Sequence, residues 1–468
     1  MRKKSIRREI VHVTGIAHKG AAVGRTAEGL VVFVDHAIPG DQVEVILTKK
    51  RKGVWQGKTE TILMPSPHRV EPVCAHFGIC GGCSWQHLNY AEQLNQKQTV
   101  VYDALTRIAK IDQALFEPIL GASQTEFYRN KLEFTFSNKR WLTEEELHTE
   151  LADSDKLALG FHRPGNFNKV VDIQKCYLQS DRSNDIRNFI KDFAVQQAWD
   201  FYNIHEQKGY LRNLIIRSNS QNNIMCILVT AFDDQEKLDA LLEVLPKKFP
   251  EIVSFYKVIN PKRNDSLFDL NFVKVFGQDY LTEQMDHVNF LIGPKSFFQT
   301  NTRQATELYR IVKDFCSLKG TETVYDWYCG VGSIGIYLAN SARQIVGVDE
   351  IGEAIEDARL NADANQLLNC SFFHSDAKDI SIENLVASYG KPDVVIVDPP
   401  RAGLHEKVIE HLKQLQPETL VYVSCNPGTQ ARDLALLKEN YQVIKIKPVD
   451  LFPHTNHIES VALLSLHK

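Results

Sequence analysis

Residues 323–349 constrain the fold more than any other stretch of this chain. Thr323-Val324-Tyr325-Asp326-Trp327-Tyr328 reads as a strand, and Cys329-Gly330-Val331-Gly332-Ser333-Ile334-Gly335 as a glycine-rich turn opening a helix. Ile345-Val346-Gly347-Val348-Asp349 follows as a second strand ending in a carboxylate. That order builds a parallel β-α-β unit in which glycines let the backbone approach a ligand, while the acidic residue accepts hydrogen bonds from ribose hydroxyls. Gly330, Gly332 and Gly335 nearly spell the dinucleotide pattern G-x-G-x-x-G, but no second mononucleotide half follows.

Further strands are expected at 371–374, 393–398, 419–424, 442–446 and 460–466. The last two follow closely enough to pair antiparallel, which suits a methyltransferase sheet better than a dinucleotide-binding one. S-adenosylmethionine is therefore the expected ligand, and the expected fold class is α/β with a Rossmann-like class I methyltransferase domain. A chain of 468 residues with 43% hydrophobic content has room for two to four domains at roughly 100–200 residues each. No apolar run approaches the roughly 18 residues needed to span a bilayer, and the start Met-Arg-Lys-Lys-Ser-Ile-Arg-Arg lacks the apolar core of a secretory signal. The expectation is a cytoplasmic protein, without membrane association and monomeric.

Charge is uneven. Residues 1–70 hold 13 Lys and Arg against 6 Asp and Glu, whereas the whole chain carries −4. A basic end on an acidic body fits a polyanion-binding attachment and equally a solvated charged face. Between 9 and 62, short apolar–polar runs (Ile10-Val11-His12-Val13, Gly29-Leu30-Val31-Val32-Phe33-Val34, Val43-Glu44-Val45-Ile46-Leu47) alternate with Gly and Pro turns, predicting a small antiparallel barrel. Lys49-Lys50-Arg51-Lys52 falls at a turn of that barrel and Trp55 follows, placing phosphate attraction beside a stacking ring; a core tryptophan fits the same position.

Cys74, Cys80 and Cys83 form C-x5-C-x2-C within a loop that also holds Gly78, Gly81 and Gly82. Nine cysteines, unevenly spread in a reducing compartment, argue against disulfides and for metal chemistry at some of them. Clustered thiolates select zinc or an iron–sulfur cluster, and a fourth ligand is needed. Cys176 is the best candidate, because Cys226 lies inside Ile224-Met225-Cys226-Ile227-Leu228-Val229 and reads as a core thiol. Zinc stays open on spacing alone, although closed four-cysteine zinc sites usually use two short C-x2-4-C pairs and one is visible here.

Residues 91–112 read as an amphipathic helix with Leu94, Val101, Leu105 and Ile108 on one face. Between 126 and 290 lie strands near 131–136, 157–161 and 213–218 and a helix near 234–247, without a catalytic constellation.

Two later segments carry chemistry. Val394-Val395-Ile396-Val397-Asp398-Pro399-Pro400-Arg401 delivers a carboxylate to the carboxyl end of a strand; amine-methylating enzymes place an aromatic residue after D-P-P, and here Arg401 stands there. The next strand delivers Cys425, in Val421-Tyr422-Val423-Ser424-Cys425-Asn426-Pro427-Gly428, where open sheets hold reactive groups; the alternative is a buried structural thiol. Carbon 5 of uracil is a poor nucleophile, but a thiolate adding to carbon 6 turns the ring into an enolate that attacks an activated methyl group. A base must then remove the carbon 5 proton. Glu459, with His454 and His457 close before it, precedes the last strand and could serve, or could be a surface carboxylate.

The motifs D-W-Y-C-G-V-G, D-P-P-R-A-G, V-S-C-N-P-G-T-Q-A-R-D and F-P-H-T-N-H-I-E-S, in this order, resemble the RNA uracil-5-methyltransferase family over nearly the full length. The C-x5-C-x2-C loop with a distant fourth cysteine and the N-terminal barrel resemble its 23S ribosomal RNA branch, whose members carry a TRAM barrel and a [4Fe-4S] cluster. The resemblance implies Cys425 as nucleophile, Glu459 as general base, and Asp398 near both the uracil and S-adenosylmethionine. It also implies Gln299 (in F-F-Q-T-N), Tyr328, Gly330, Gly332, Ser333, Asp349 and Asp376 as contacts of S-adenosylmethionine, and Cys74, Cys80, Cys83 and Cys176 as cluster ligands. Asp349 stands where relatives usually have Glu, which implies a shorter or water-bridged ribose contact, and 140–156 looks like an insertion without a role. Expected spans are 1–64 for an OB/TRAM-type barrel, 65–290 for a β-rich iron–sulfur domain whose helix 91–112 packs on the catalytic domain, and 291–468 for the methyltransferase. The expected activity is methyl transfer to C5 of a specific uridine in RNA, ribosomal first and transfer RNA second. The other classes considered are a non-methyltransferase iron–sulfur RNA-binding protein and a redox or radical iron–sulfur enzyme, the latter requiring an open cluster coordination site.

Overall fold

In strand β1 (Arg7–Ile16), Val11 and Val13 point inward while their neighbours face solvent, and the same alternation runs through β2 (Ala22–Arg25), β3 (Val31–Asp35) and β4 (Gln42–Arg51) as far as Leu47, whereas β5 (Val54–Met64) buries only Gly57. The five strands close a barrel in the order β1-β2-β3-β5-β4. The barrel is not wholly antiparallel as expected. The β4–β5 hairpin folds back so that β5 lies between β4 and β3, and it pairs in parallel with β3 (Val32 opposite Trp55). The hairpin turns at Lys52-Gly53, both at positive φ (50° and 84°), as a tight two-residue loop requires. This is a computed structural model and describes residues 7–17 and 20–467. Part of the basic end, residues 1–6 with His18 and Lys19, lies outside the described residues.

Helix α1 (Tyr90–Ala104) starts at Asn89, whose side chain accepts from Glu92 N (2.9 Å). It continues as one π-helical turn, Leu105–Ala109, and stops at Lys110 in the left-handed region (φ 58°), short of the expected 112. Its inward face also differs from expectation. Gln93 and Lys97 are buried with Val101 and Leu105, whereas Ile108 is 51% exposed.

The central sheet has the order β12-β11-β10-β9-β6-β7-β8. Its strands are β6 (Lys131–Ser137), β7 (Ala158–Arg163), β8 (Asn166–Asp172), β9 (Leu211–Ser218), β10 (Ile224–Thr230), β11 (Ile252–Ile259) and β12 (Phe272–Gly277). Helices α2 (Asp181–Gln196) and α3 (Gln235–Lys248) share its core through Ile186, Ile190, Leu241 and Leu245, and Cys226 is fully buried there. No sequence expectation covered α2. The 140–156 loop forms two short 3-10 turns held by Arg140, which pairs with Glu146 (2.8 Å) and donates to Asp155 O (2.5 Å).

A hairpin, β13 (Leu281–Met285) and β14 (Val288–Ile292), leads into α4 (Thr302–Cys316). Strand β14 spans the 290/291 position, and its Val288, Phe290 and Ile292 belong to the same core as α4. Alternating elements then follow: β15 (Thr323–Trp327), α5 (Ser333–Leu338), β16 (Gln344–Asp349), α6 (Gly352–Ala364), β17 (Cys370–His374), α7 (Ile382–Tyr389), β18 (Val394–Val397), α8 (Glu406–Leu415), β19 (Thr419–Ser424), α9 (Pro427–Leu437), β20 (Tyr441–Val449) and β21 (Glu459–Leu466). The sheet order is β17-β16-β15-β18-β19-β21-β20. The first five strands are parallel, and β21 inserts antiparallel between β19 and β20. Val101, Leu105 and Ala109 share a core with Leu420, Tyr422, Leu434 and Leu437, so α1 packs on this sheet. Among the described residues no helix is long and apolar enough to cross a membrane.

Candidate active site

Parallel strands deliver their following residues to one edge of the sheet, where ligands of open α/β sheets bind. Asp398 follows β18, Cys425 follows the neighbouring β19, and Glu459 opens β21, which pairs with β19 through Ser424 opposite Ser460. The three expected reactive groups therefore meet at one edge. Asn426 shapes the turn after Cys425: its side chain caps α9 by accepting from Gly428 N (3.1 Å) and donates to Arg401 O (2.9 Å).

Electrostatics here oppose charge. Burial, then the carboxylates of Glu459 and Asp398, push the Cys425 thiol up to about 11, with Arg401 acting in the opposite sense. Burial raises Asp398 to about 7. Glu459, 7% exposed, is held well above the usual carboxylate range by burial and by Asp398. Paired acids kept apart from their ordinary values are what acid–base chemistry at neutral pH uses. The two histidines are poorer bases. His454 is lowered to about 4 by burial and is engaged by Gln93 (3.1 Å), while His457, also lowered by burial, lies 3.2 Å from Arg401.

Cys425 is half-buried at a cleft of about 200 Å³ lined by Arg401, Asn456 and His457 on one side and by Ile16, Ala17, Gly20 and Trp85 on the other. The barrel thus forms a wall of the Cys425 cleft, locked by Trp85 Nε1 donating to Gly20 O (3.2 Å). A Cβ on Gly20, at φ 82°, would stand 2.5 Å from Asn456 Cβ. Sequence reasoning missed this wall, because only folding brings residues 16–20 to residue 425.

The cradle around β15 forms as expected. Tyr328, Gly330 and Gly332 adopt positive φ (65°, 54° and 76°), turning the backbone into α5. Asp349 accepts from Gly330 N (2.8 Å) and Ile351 N (2.9 Å), tying the glycine turn to the end of β16. Ser333 accepts from Tyr309 OH (2.8 Å). Asp376 ends the neighbouring strand region and pairs with Lys378 (2.5 Å), which lowers its carboxyl. Gln299 is half-buried just ahead of α4, its backbone carbonyl accepting from Asn130 (2.9 Å). Asp326 carries no expected role, yet it is buried beneath this cradle, accepts from Gly335 N (2.9 Å), and is raised to about 7 by burial.

The four expected cluster cysteines converge from two segments distant in sequence. Burial raises Cys80 to about 11 and Cys83 to about 12, each with further upward contributions from Cys74 and Cys176. Cys176 is 8% exposed, and its backbone is pinned by Asn184 (2.7 and 3.0 Å). Among the described residues no group of three or more His, Cys, Asp or Glu is arranged to hold a metal ion.

The sheet order and the cradle define a class I S-adenosylmethionine-dependent methyltransferase fold, joined to a small closed β-barrel. Residues 269–467 match the model of the tRNA (Uracil-5-)-methyltransferase family, and residues 6–58 match the TRAM domain. Proteins described as uncharacterized RNA methyltransferases are 45% identical in Bacteroides thetaiotaomicron (96% of this chain, 100% of the relative) and 45% in Porphyromonas gingivalis (97% and 99%). The crystal structure of Pyrococcus abyssi tRNA (uracil-54, C5)-methyltransferase in complex with S-adenosyl-L-homocysteine superimposes with a TM-score of 0.74 at 29% identity, covering 98% of this chain and 100% of that one. The chain belongs to the RNA (uracil-5-)-methyltransferase family and is an RNA methyltransferase.

Proposed function

We propose that this enzyme transfers a methyl group from S-adenosylmethionine to C5 of a uridine in 23S ribosomal RNA, through a covalent bond between Cys425 and C6. The observation that carries the reading is the meeting of Cys425, Asp398 and Glu459 at one sheet edge, with the thiol open to a cleft. The methyl donor, when bound, supplies an electrophilic methyl group. Gln299, Tyr328, Gly330, Gly332, Ser333, Asp349 and Asp376 are the residues that would hold it, and Asp398 would stand near both the uracil ring and the methyl donor.

At rest Cys425 is a thiol; as the uracil binds, its proton passes to the neighbouring carboxylate of Asp398, which leaves the Glu459 carboxylate as the acceptor for the C5 proton. The thiolate adds to C6, making C5 a nucleophile toward the methyl group. Glu459 then removes the C5 proton; that electron pair restores the C5–C6 double bond and the sulfur leaves C6. The barrel wall at Ile16, Ala17 and Gly20 narrows access to Cys425, and Lys50 and Arg7, stacked over the Trp55 ring at 5.7 and 5.9 Å, offer a cation–aromatic surface for RNA.

Cys74, Cys80, Cys83 and Cys176 hold a [4Fe-4S] cluster as a structural staple. What supports this set is its chemistry: three partly buried thiols of one loop lie near buried Cys176, and Arg187, 1% exposed and close enough to act on Cys176, has an Nε with no partner among the described residues. A buried cation suits a group of net negative charge. A second reading, methylation of transfer RNA, is favoured by the full-length likeness to the Pyrococcus abyssi tRNA enzyme. Nucleoside mass mapping of RNA from a strain lacking the protein decides. Loss of one 5-methyluridine from 23S RNA is expected; its loss from transfer RNA supports the second reading, and no loss from either refutes both.

A further inference from the structure

Residues 450–458 join β20 to β21, carry His457 and end on Glu459. This loop is gripped from the side by the unexpected polar face of α1. Lys97, 1% exposed, donates to Asp450 Oδ1 (2.6 Å) and to Phe452 O (3.0 Å), while Tyr90 OH donates to Asp450 Oδ2 (2.9 Å). One turn earlier Gln93, fully buried, accepts from His454 N (2.9 Å), meets His454 Nδ1 (3.1 Å), and donates to Trp85 O (3.0 Å) and Leu88 O (2.7 Å). His454 is held at φ 63°, a conformation that non-glycine residues keep only where surroundings over-determine it. Its carbonyl accepts from Ser84 N (2.8 Å) and Trp85 N (3.0 Å), the two residues after Cys83.

Lysine and glutamine are rarely buried this completely, and a buried ion pair contributes little net stability against apolar side chains of the same volume. What such a network supplies is a single placement. We propose that Lys97 and Gln93 are positioning residues for proton removal from C5: they fix Asp450 and His454 so that the loop presents Glu459 to the methylated adduct, and the anchor at Ser84 and Trp85 ties that placement to the cysteine segment. The inference rests on Glu459 being the base of the covalent mechanism. Cys425 sits on a different loop, whose turn is set by Asn426 and α9, so the grip bears less on addition to C6 and methyl transfer than on proton removal, although Asn456 and His457 of the gripped loop also line the Cys425 cleft.

The test uses the full chain in three variants, Lys97→Met with Asp450→Asn, Gln93→Met, and Glu459→Gln as reference. The first removes the ion pair without leaving an orphan charge, and the second tests the same loop independently. Labelled methyl incorporation into RNA is followed through the first turnover and at steady state, with protein–RNA adduct read on a denaturing gel. Both α1 variants are expected to keep first-turnover methylation within about threefold, to lose about tenfold or more at steady state, and to accumulate adduct that requires S-adenosylmethionine. The inference is overturned if Glu459→Gln accumulates adduct while both α1 variants release product at the wild-type rate. It is equally overturned if they lose first-turnover and steady-state methylation in parallel without adduct. Absence of adduct in Glu459→Gln itself removes the underlying reading and the inference with it.

Discussion

The resting state of Cys425 can be titrated directly. Burial and two neighbouring carboxylates raise this thiol from 9.0 to about 11. Its thiolate fraction at pH 8 is then roughly one in a thousand, against about one in ten for an unperturbed thiol. The two cases separate most clearly between pH 9 and 10, where the alkylation rate rises about ninefold for a thiol at 11 but only about twofold for one at 9. The assay is alkylation by iodoacetamide in the absence of RNA, followed by peptide mass spectrometry on the fragment containing Cys425, with buried Cys226 as the internal unreactive control. Neutralising a carboxylate should make the thiolate easier to form, so Asp398→Asn is expected to move the curve toward lower pH. Arg401→Gln is expected to move it toward higher pH. A wild-type rate that levels off by pH 9, or an Asp398→Asn curve displaced upward, would refute the view that burial and negative charge keep Cys425 protonated.

Three further outcomes are expected. Asp398 is raised to about 7 in the fold, above the unfolded aspartate value; its contribution to stability is complete at low pH and is lost as pH rises through about 7. Asp398→Asn should therefore be about 4 kcal/mol more stable than wild type at pH 8 and close to it at pH 4, measured by urea unfolding, with an equal gap at both values counting against the assignment. Cys176→Ala should lose its iron and its absorbance near about 400 nm; retention of full colour would exclude Cys176 as a ligand. Trp55→Ala should weaken RNA binding by about tenfold while leaving S-adenosylmethionine affinity unchanged in calorimetry, whereas equal RNA affinity would assign Trp55 to the barrel core alone.

The catalytic sheet was legible because parallel strands buried on both faces read as continuous apolar runs, as in Val394-Val395-Ile396-Val397, and each run ends on a residue with reactive or polar chemistry. Barrel alternation was legible for the same local reason, but the parallel pairing of β3 with β5 was not, since a strand's periodicity does not name its partner. Helix α2 escaped notice because Asn184 and Arg187 occupy its buried face and hide the apolar period. Likewise α1 appeared to present Leu94 and Ile108 to the core, when tertiary contacts turn Gln93 and Lys97 inward to meet the 450–454 loop. At the site, Cys425, Asp398 and Glu459 could be named from motif order and strand ends. The wall supplied by Ile16, Ala17 and Gly20 could not, because no local pattern reports a contact made only on folding.

The central claim is that Cys425 bonds to the base and Glu459 is needed to release it. The most direct measurement incubates Glu459→Gln with RNA and S-adenosylmethionine, digests with nuclease and protease, and determines the mass of the peptide containing Cys425. A methylated uridine nucleotide joined to that peptide through sulfur, absent without the methyl donor and absent in the double variant with Cys425→Ala, is the predicted result. A Glu459→Gln enzyme that turns over at the wild-type rate, with the Cys425 peptide unmodified, would contradict it.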